Sequence, residues 1–596
     1  MIKRFFLMAI AIFTISCSSG VFLEAEHFQD LGDWTVEDQF FRQMGSPYIL
    51  AHGRGKALSP ARTNFSLPDD GKWHVWVRTY NWNAPWDPDM APGLFRLKIN
   101  DEYIGDTLGH SPNEWGWYYA GYFQTEKKDI SITIEDLTGF EGRCDALYFS
   151  KNATGKIPDR KKPQVLDTKE YYDFIVVGGG TAGMSAAISA SRLGLKTLLL
   201  QDRPVLGGNS SREIRVTILG GIQRGPYPNM GQIIAEYGRP FKKPARVDSL
   251  LSLENNLTVH FRHSVINADT EGGQIKSVSA LDLRTGQIKK FEGRFFADCT
   301  GDACLGYYAG ADFMSGRESN ATFGEDLAPE NPDSLQFGVS MRWFAAHFPG
   351  EKIDFPECPW AVQFNDSTAV PALKSPWQWE TGFYADQITD AEYLRDSWFR
   401  YIYGNWAYLK NSEKYGKEFE DADFTFVGHV IGKREGIRLK GDLVLTQNDI
   451  LKEEWKRYDD PAVFCTYPID QHFPVGEFRS IQKLCHNPVG PLKKKLPGIN
   501  VNNPYMLPYR CLYSRNIDNL FMAGRNISAS RIAMSSTRVM GSTAMMGEAI
   551  AIAASLCHKN DCKPNELYKN HLPELLDSFR KGIPAKHDTI FEGEVF

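Results

Sequence analysis

The chain lacks the features that mark several large protein classes. Its 67 Lys and Arg are outnumbered by 73 Asp and Glu, for a net charge of -6, so there is no basic field to hold a nucleic acid and none is expected as a partner. Ten cysteines, nine of them beyond Cys17, are too few and too odd in number for a dense disulfide framework. Internal repeats and low-complexity tracts are missing, which excludes a solenoid or a disordered tail as the main architecture. The opening apolar run, Phe5 to Ile15, is too short to span a bilayer.

What is present begins at that run. Lys3 and Arg4 precede it and Ser16-Cys17-Ser18-Ser19-Gly20 follows, a pattern similar to a bacterial export signal ending at a cysteine suited to lipid attachment. Residues 1–20 are therefore expected to direct the chain to the cell envelope, with a lipid anchor at Cys17 on the periplasmic or outer-membrane face. A plain signal peptide cleaved nearby is the alternative. No twin arginine accompanies the run.

At 596 residues the chain is too long for one ordinary core, and two or three domains are expected. From 21 to 150, short alternating strands such as Trp73-His74-Val75-Trp76-Val77-Arg78 and Ile130-Ser131-Ile132-Thr133-Ile134 lie between Gly, Pro, Asn and Asp turns, which predicts a β-sandwich. Leu23-Glu24-Ala25-Glu26, Leu67 to Trp73 and Cys144-Asp145-Ala146-Leu147-Tyr148 resemble the galactose-binding-like carbohydrate-binding modules. That resemblance implies a glycan partner and places Glu24, Glu26 and Asp145 where related modules hold structural calcium, an ion suited to oxygen ligands. Carboxylates without metal are the alternative. Trp73 and Trp76 are expected in the core, whereas Trp82, Trp86, Trp115 and Trp117 sit among turn residues, either stacking on sugar or capping the sandwich. Residues 151–170, polar and containing Pro158 and Pro163, read as a linker.

The most specific pattern follows. Tyr172 to Val177 is a strand-forming run that enters Gly178-Gly179-Gly180-Thr181-Ala182-Gly183, a helix is legible from Ala182 to Leu193, and Lys196 to Leu200 is a second strand. In such a βαβ unit Gly178 permits the turn, Gly180 admits a pyrophosphate and Gly183 brings helix and strand together. The phosphates sit at the helix N-terminus. Gln201 and Asp202 end the second strand, where an acidic residue meets the adenosine ribose. No second dinucleotide motif is present, so no nicotinamide partner is expected.

Two later segments, Phe295 to Thr300-Gly301-Asp302 and Asn519 to Ala523-Gly524-Arg525 with a small-residue helix from about Ser542, complete a set that resembles the FAD-binding signature of the glutathione-reductase-like flavoproteins. From about Tyr171 to Pro564 the chain is similar to the bacterial family of FAD-dependent oxidoreductases, through Gly207-Gly208-Asn209-Ser210-Ser211, Gly432 to Glu435, Leu445 to Asp449, Pro468 to His472, Pro508 to Leu512 and Ala523 to Ser528. The resemblance implies FAD, an N-terminal β-sandwich followed by an α/β Rossmann-type domain split into 171–324 and 504–596, and an inserted α+β substrate domain at 325–503. Thr300, Gly301, Asp302, Gly524, Arg525, Ser542 and Thr543 join the cofactor set. Arg525 stands where many relatives carry an acidic residue for the ribityl chain, which leaves Asp302 for that contact.

For chemistry, a flavin takes a hydride from a carbon bearing a hydroxyl, and a base must take the hydroxyl proton. His472 is the leading candidate, with Asp470 on the same side of an extended chain to orient it; a histidine that only holds the loop is the alternative. Arg538, ahead of the small-residue helix, is a candidate to stabilise reduced flavin or else an ion-paired arginine. Arg434 and Arg438 share a face if their segment is helical, for substrate oxygens or an internal ion-pair cluster. Tyr509 and Arg510 are expected to border the pocket. Cys299 and Cys304 read as thiols packed around it. The expected activity is oxidation of a carbohydrate alcohol, with an electron acceptor that the sequence does not name. A redox-neutral oxidation and elimination, or a glycan-binding protein with a vestigial flavin fold, are the alternatives.

Overall fold

A computed structural model describes residues 20–110, 114–154, 157–159, 165–376, 379–472 and 504–588. The export segment with Cys17, the last part of the expected substrate domain beyond His472, and the end of the C-terminal tail lie outside those residues. The chain forms two compact units: Met1–Glu37 with Tyr48–Lys162, and Asp38–Pro47 with Pro163–Phe596.

Unit one contains two antiparallel sheets over a shared core. One runs in the order Thr35–Glu37, Tyr48–Ala51, Gly142–Ser150, Gly71–Thr79, Gly116–Thr125, with Gly20–Glu24 also on Gly142–Ser150; the other is Ala61–Ser66, Asp129–Asp136, Phe95–Ile99, Glu102–Tyr103. Period-two alternation explains both: Trp73, Val75 and Val77 from the first meet Leu97, Ile130, Ile132 and Ile134 from the second, all buried.

Unit two is built on a sheet with three parallel neighbours, Leu257–Phe261, Thr197–Gln201 and Val165–Val177, followed by Ile288–Asp298. The far edge of Ile288–Asp298 is shared. Its residues 288–292 pair antiparallel with Gln274–Asp282, half of the hairpin turning at Gly272-Gly273, and residues 296–298 pair in parallel with Leu520–Met522. The chain thus returns after more than two hundred residues to complete the site end of the sheet. The linker expected at 151–170 ends early, because Val165, Leu166 and Asp167 already pair with residues 288–290. That extension is mostly exposed, so it has linker-like composition despite being strand.

The helices Thr181–Arg192 and Met540–Asn560 cross in backbone contact: a Cβ on Gly547 would lie 2.1 Å from the Ala182 carbonyl oxygen. This is why both helices are rich in Ala, Gly and Ser. The second is long and apolar enough to cross a membrane, but it is a buried core helix. Residues 325–472, expected as a separate substrate domain, cluster with the cofactor sheet as part of unit two. Their main elements are the helix Ala391–Asn411 and the ribbon Trp343–His347 with Ala422–Val427, joined through Trp343, Trp406 and Phe424.

Glu548 lies on the long helix at 0% exposure and accepts from the Gly231 and Ile233 N–H groups at 2.8 and 3.0 Å. Burial pushes its carboxyl up to about 8, only partly opposed by those two donors. The folded chain therefore keeps a proton that the unfolded chain releases at its ordinary pKa. Stability should fall as pH rises between about 4.5 and 8, with a slope of up to about 1.4 kcal/mol per pH unit from this group. Glu548→Gln should lower stability, because its NH2 faces a backbone N–H, and should remove that part of the slope in urea melts across the window.

Candidate cofactor and active site

Three glycines set the phosphate turn, each for a different physical reason. Gly178 has φ +98, and an added Cβ would lie 2.6 Å from the Cys299 carbonyl oxygen. Gly183 faces the Gly178 carbonyl oxygen, 1.8 Å from where its Cβ would be. Gly180 differs: its backbone is extended, at φ -68 and ψ -175, and an added Cβ would meet only the Gly208 Cα at 4.0 Å. The protein's own packing accounts for Gly178 and Gly183, whereas at Gly180 the chain leaves room above the helix N-terminus.

That room belongs to a cavity of about 580 Å³. Its wall includes Gly178, Gly180, Gln201, Asp202, Gly207, Gly208, Asn209, Thr300, Gly301, Asp302, Gly524, Arg525, Thr543 and Arg538. Of the residues expected at the cofactor, Gly183 packs helix on strand as assigned, and Ser542 is the exception. It is fully buried beside Gly220 and outside the cavity lining, because the helix turns Thr543 inward instead. Thr543 Oγ1 meets Thr181 Oγ1 at 3.0 Å.

Gln201, expected on a ribose, uses its amide within the chain: Oε1 accepts from Gly179 N–H at 2.7 Å and Nε2 donates to the Val205 carbonyl at 2.9 Å. It braces the glycine turn and leaves Asp202 as the exposed carboxylate at that end of the cavity. The Thr300-Gly301-Asp302 turn is held by Asp298, which is fully buried and accepts from Thr300 N–H, Thr300 Oγ1, Gly306 N–H and Asn526 Nδ2 at 2.7–3.0 Å. Burial alone would raise the Asp302 carboxyl, but Lys433 at 2.6 Å and Arg525 at 2.8 Å hold it down at about 2. An ionised acceptor flanked by two cations thus lines the middle of the cavity. Lys433 was not legible as part of the site, because its role depends on a contact with a residue 131 positions earlier. Cys299 and Cys304 line the same wall.

The catalytic candidates meet. His472 Nε2 lies 3.1 Å from Asp470 Oδ2 and 3.0 Å from the Arg538 NH2 group, and Arg538 is 3.3 Å from Asp470. On the opposite side of the ring, Nδ1 is 2.5 Å from Glu380 Oε1, a buried carboxylate that also pairs with Arg434 at 3.0 Å. Sequence reasoning missed Glu380, which lies 92 positions from His472 with no motif around it. At Nε2 the ring either accepts from Arg538 or donates to Asp470, while Glu380 stands beside Nδ1 at ion-pair distance. His472 is buried at 2% exposure and stands one side chain behind the wall, with Arg538 and Arg434 lining the cavity.

The Arg434 segment is not helical. Residues 433–437 are irregular, with Gly436 packed so closely that its Cβ would lie 2.9 Å from the Gly301 carbonyl oxygen. Arg438 leaves the site altogether, fully buried between Glu435 at 2.8 Å and Glu318 at 2.6 Å, which is the ion-pair alternative. Tyr509 and Arg510 also lie outside the lining, the first bonded to the Pro564 carbonyl and the second to Asp460.

In unit one, Trp82 is fully buried and its indole N–H donates to the Phe140 carbonyl at 3.0 Å, so it caps the sandwich and is no sugar platform. Trp76, expected in the core, is only half buried. It belongs to an outward aromatic face: its ring centroid is 5.2 Å from Tyr119 and 6.1 Å from Tyr148, which packs at a tilt against Phe22 at 4.7 Å and meets Trp117 at 6.3 Å. Tyr119 and Tyr122 are 48% and 59% exposed. Trp86 and Trp115 are half buried, Trp115 against Tyr48 and Tyr80. Glu24, Glu26 and Asp145 each place a carboxylate oxygen within 4.8 Å of the others, and Arg78 pairs with Asp145 at 2.5 Å.

Comparison with known proteins bears on unit two. A pseudooxynicotine dehydrogenase from Pseudomonas sp is 44% identical over 61 residues, 10% of this chain and 12% of that protein. The tRNA uridine 5-carboxymethylaminomethyl modification enzyme MnmG of Lachnoclostridium phytofermentans is 26% identical over 226 residues, 34% of this chain and 35% of that one. The chain thus spans only a small part of the curated relatives it matches. Among solved structures, a myxobacterial chondrochloren halogenase, described as a variant of FAD-dependent halogenases, superposes with a TM-score of 0.31 and 12% identity, covering 69% of this chain and 79% of that one. The model of the family FAD dependent oxidoreductase matches residues 173–576, which takes in the glycine turn, Asp302, His472 and the helix Met540–Asn560, and the chain belongs to that family.

Proposed function

We propose that the protein is an FAD-dependent oxidoreductase that oxidises an alcohol group of a carbohydrate or carbohydrate-derived substrate. The observation that carries the cofactor is Gly180, open above the helix N-terminus in a cavity whose size is ordinary for a ligand site. Gly180, Gly207, Gly208 and Asn209 would hold the diphosphate, Asp202 the adenosine ribose, and Asp302, Gly524 and Thr543 the flavin half. When bound, the flavin supplies the hydride acceptor.

The chain's own part in the reaction is to place the substrate and take its hydroxyl proton. His472 is the proposed base, oriented by Glu380 and stabilised as imidazolium by Asp470. Because His472 is one side chain back from the wall, the proton reaches it through a bridging water or a shift of Arg538. The test is anaerobic reduction of the bound flavin by sugars, with His472 replaced.

The carbohydrate class is supported by unit one, where flat rings on one sheet face suit the C–H surfaces of sugars. Tyr119→Ala with Tyr122→Ala should weaken polysaccharide binding by about tenfold in affinity electrophoresis, on the scale of losing one or two stacking contacts. Trp82→Ala should instead destabilise the module. Running the same gels with calcium and with a chelator tests the further proposal that Glu24, Glu26 and Asp145 hold that ion. Export and lipid attachment at Cys17 are proposed on the Lys3-Arg4, Phe5–Ile15 and Cys17 pattern alone.

A further inference from the structure

The segment Asp38–Pro47 interrupts the strands of unit one, yet it packs as part of unit two. Asp38 is buried, and its two carboxylate oxygens are divided between two arginines, Oδ1 to Arg203 and Oδ2 to Arg262. Arg203 follows Asp202 at the end of the second strand. Arg262 precedes His263, in the turn between Leu257–Phe261 and His263–Glu271. Asp202, Arg203 and His263 line the cavity at the end where this fold seats the adenosine. Gln39, Phe40 and Phe41 line it as well, Phe40 at 1% and Phe41 at 7% exposure. Phe40 is held from outside by the Arg395 guanidinium, 4.6 Å from its ring centroid, and Gln39 donates to the His429 carbonyl at 2.8 Å.

We propose that residues 38–41 form a clasp that binds the adenosine half of FAD, with Asp38 as its latch and Gln39 and Phe41 as its contact surface. The proposal rests on the reading of the cavity as the FAD site. Two features make it a binding device and not only a brace. Gln39, half buried, and Phe41, at 7% exposure where Phe40 keeps only 1%, are the parts of the segment open to the cavity, and a planar base is the part of FAD that gains most from an aromatic contact. The latch is made of buried charges in pairs, with Arg203 also paired to Glu213 at 2.8 Å, so it fixes the position of that surface before the ligand arrives. Residues that sequence reading gives to a separate β module thereby become part of the cofactor site.

The experiment measures dissociation constants of FAD and of ADP, which carries the adenosine and both phosphates but no flavin, for the full chain, Phe41→Ala and Asp38→Asn. Thermal melts check that each variant is folded. Phe41→Ala keeps the latch and should weaken FAD and ADP by the same factor, about tenfold. Asp38→Asn should do likewise or more, as one charge of a buried set is removed. Unchanged ADP affinity in folded Phe41→Ala, or a loss for FAD that ADP does not share, would overturn the clasp. Wild-type protein that binds neither FAD nor ADP would instead overturn the cofactor reading on which it rests.

Discussion

Gly180→Val should fold normally and lose FAD. The substitution is sterically admissible to the protein itself: the backbone at φ -68 and ψ -175 suits a β-branched residue, and the new Cβ would meet only the Gly208 Cα at 4.0 Å. The γ-methyls then occupy the space over the helix N-terminus where a pyrophosphate approaches the backbone. We expect affinity to fall by at least about a hundredfold, some 3 kcal/mol or more, with the melting temperature of the ligand-free protein little changed. Gly178→Val and Gly183→Val are the contrasting controls, because Gly178 needs a positive φ and Gly183 abuts a carbonyl oxygen; both should lose the fold of the turn as well as the ligand. Fluorescence titration of FAD against each purified variant gives the answer. Full flavin occupancy in Gly180→Val would remove the argument for the site.

His472→Ala should keep FAD and lose substrate-driven reduction by roughly a hundred- to ten-thousand-fold. Retention of the cofactor is expected because His472 stands outside the cavity lining, while its partners Glu380, Asp470 and Arg538 converge on the ring at 2.5–3.1 Å. A purely structural histidine predicts something different. Removing it would leave the buried Glu380 carboxylate with Arg434 alone and would loosen the fold, while any surviving folded protein would still react. Glu380→Gln separates the two accounts. If Glu380 orients the base, folded and FAD-loaded Glu380→Gln should reduce its flavin with substrate markedly more slowly, whereas a structural role changes only the melting temperature.

Much of this was legible before the structure, for reasons that differ from residue to residue. The glycine turn, the strand around it and the Thr300-Gly301-Asp302 end are local, so spacing and residue type expose them. Even the pairing of Asp470 with His472 needs only two positions of extended chain. What the sequence hides is contact across distance: Lys433 on Asp302, Glu380 on His472, and Asp38 between Arg203 and Arg262. Exposure was harder to read than secondary structure. Trp82 lies among turn residues yet is enclosed because its N–H has a carbonyl partner inside, whereas Trp76 sits mid-strand on the outward face. Arg434 and Arg438 would share a face of a helix, but two glycines and a close backbone contact keep the segment extended and irregular.

The most direct measurement is anaerobic titration of the FAD-loaded full chain with a panel of sugars and sugar alcohols, following the visible absorption of the flavin. The account predicts that the absorption bleaches with at least one member of the panel without any added acceptor, and that His472→Ala, equally loaded, bleaches far more slowly. A loaded protein whose absorption is unchanged by every member of the panel, or a variant that bleaches as fast as the wild type, would contradict it.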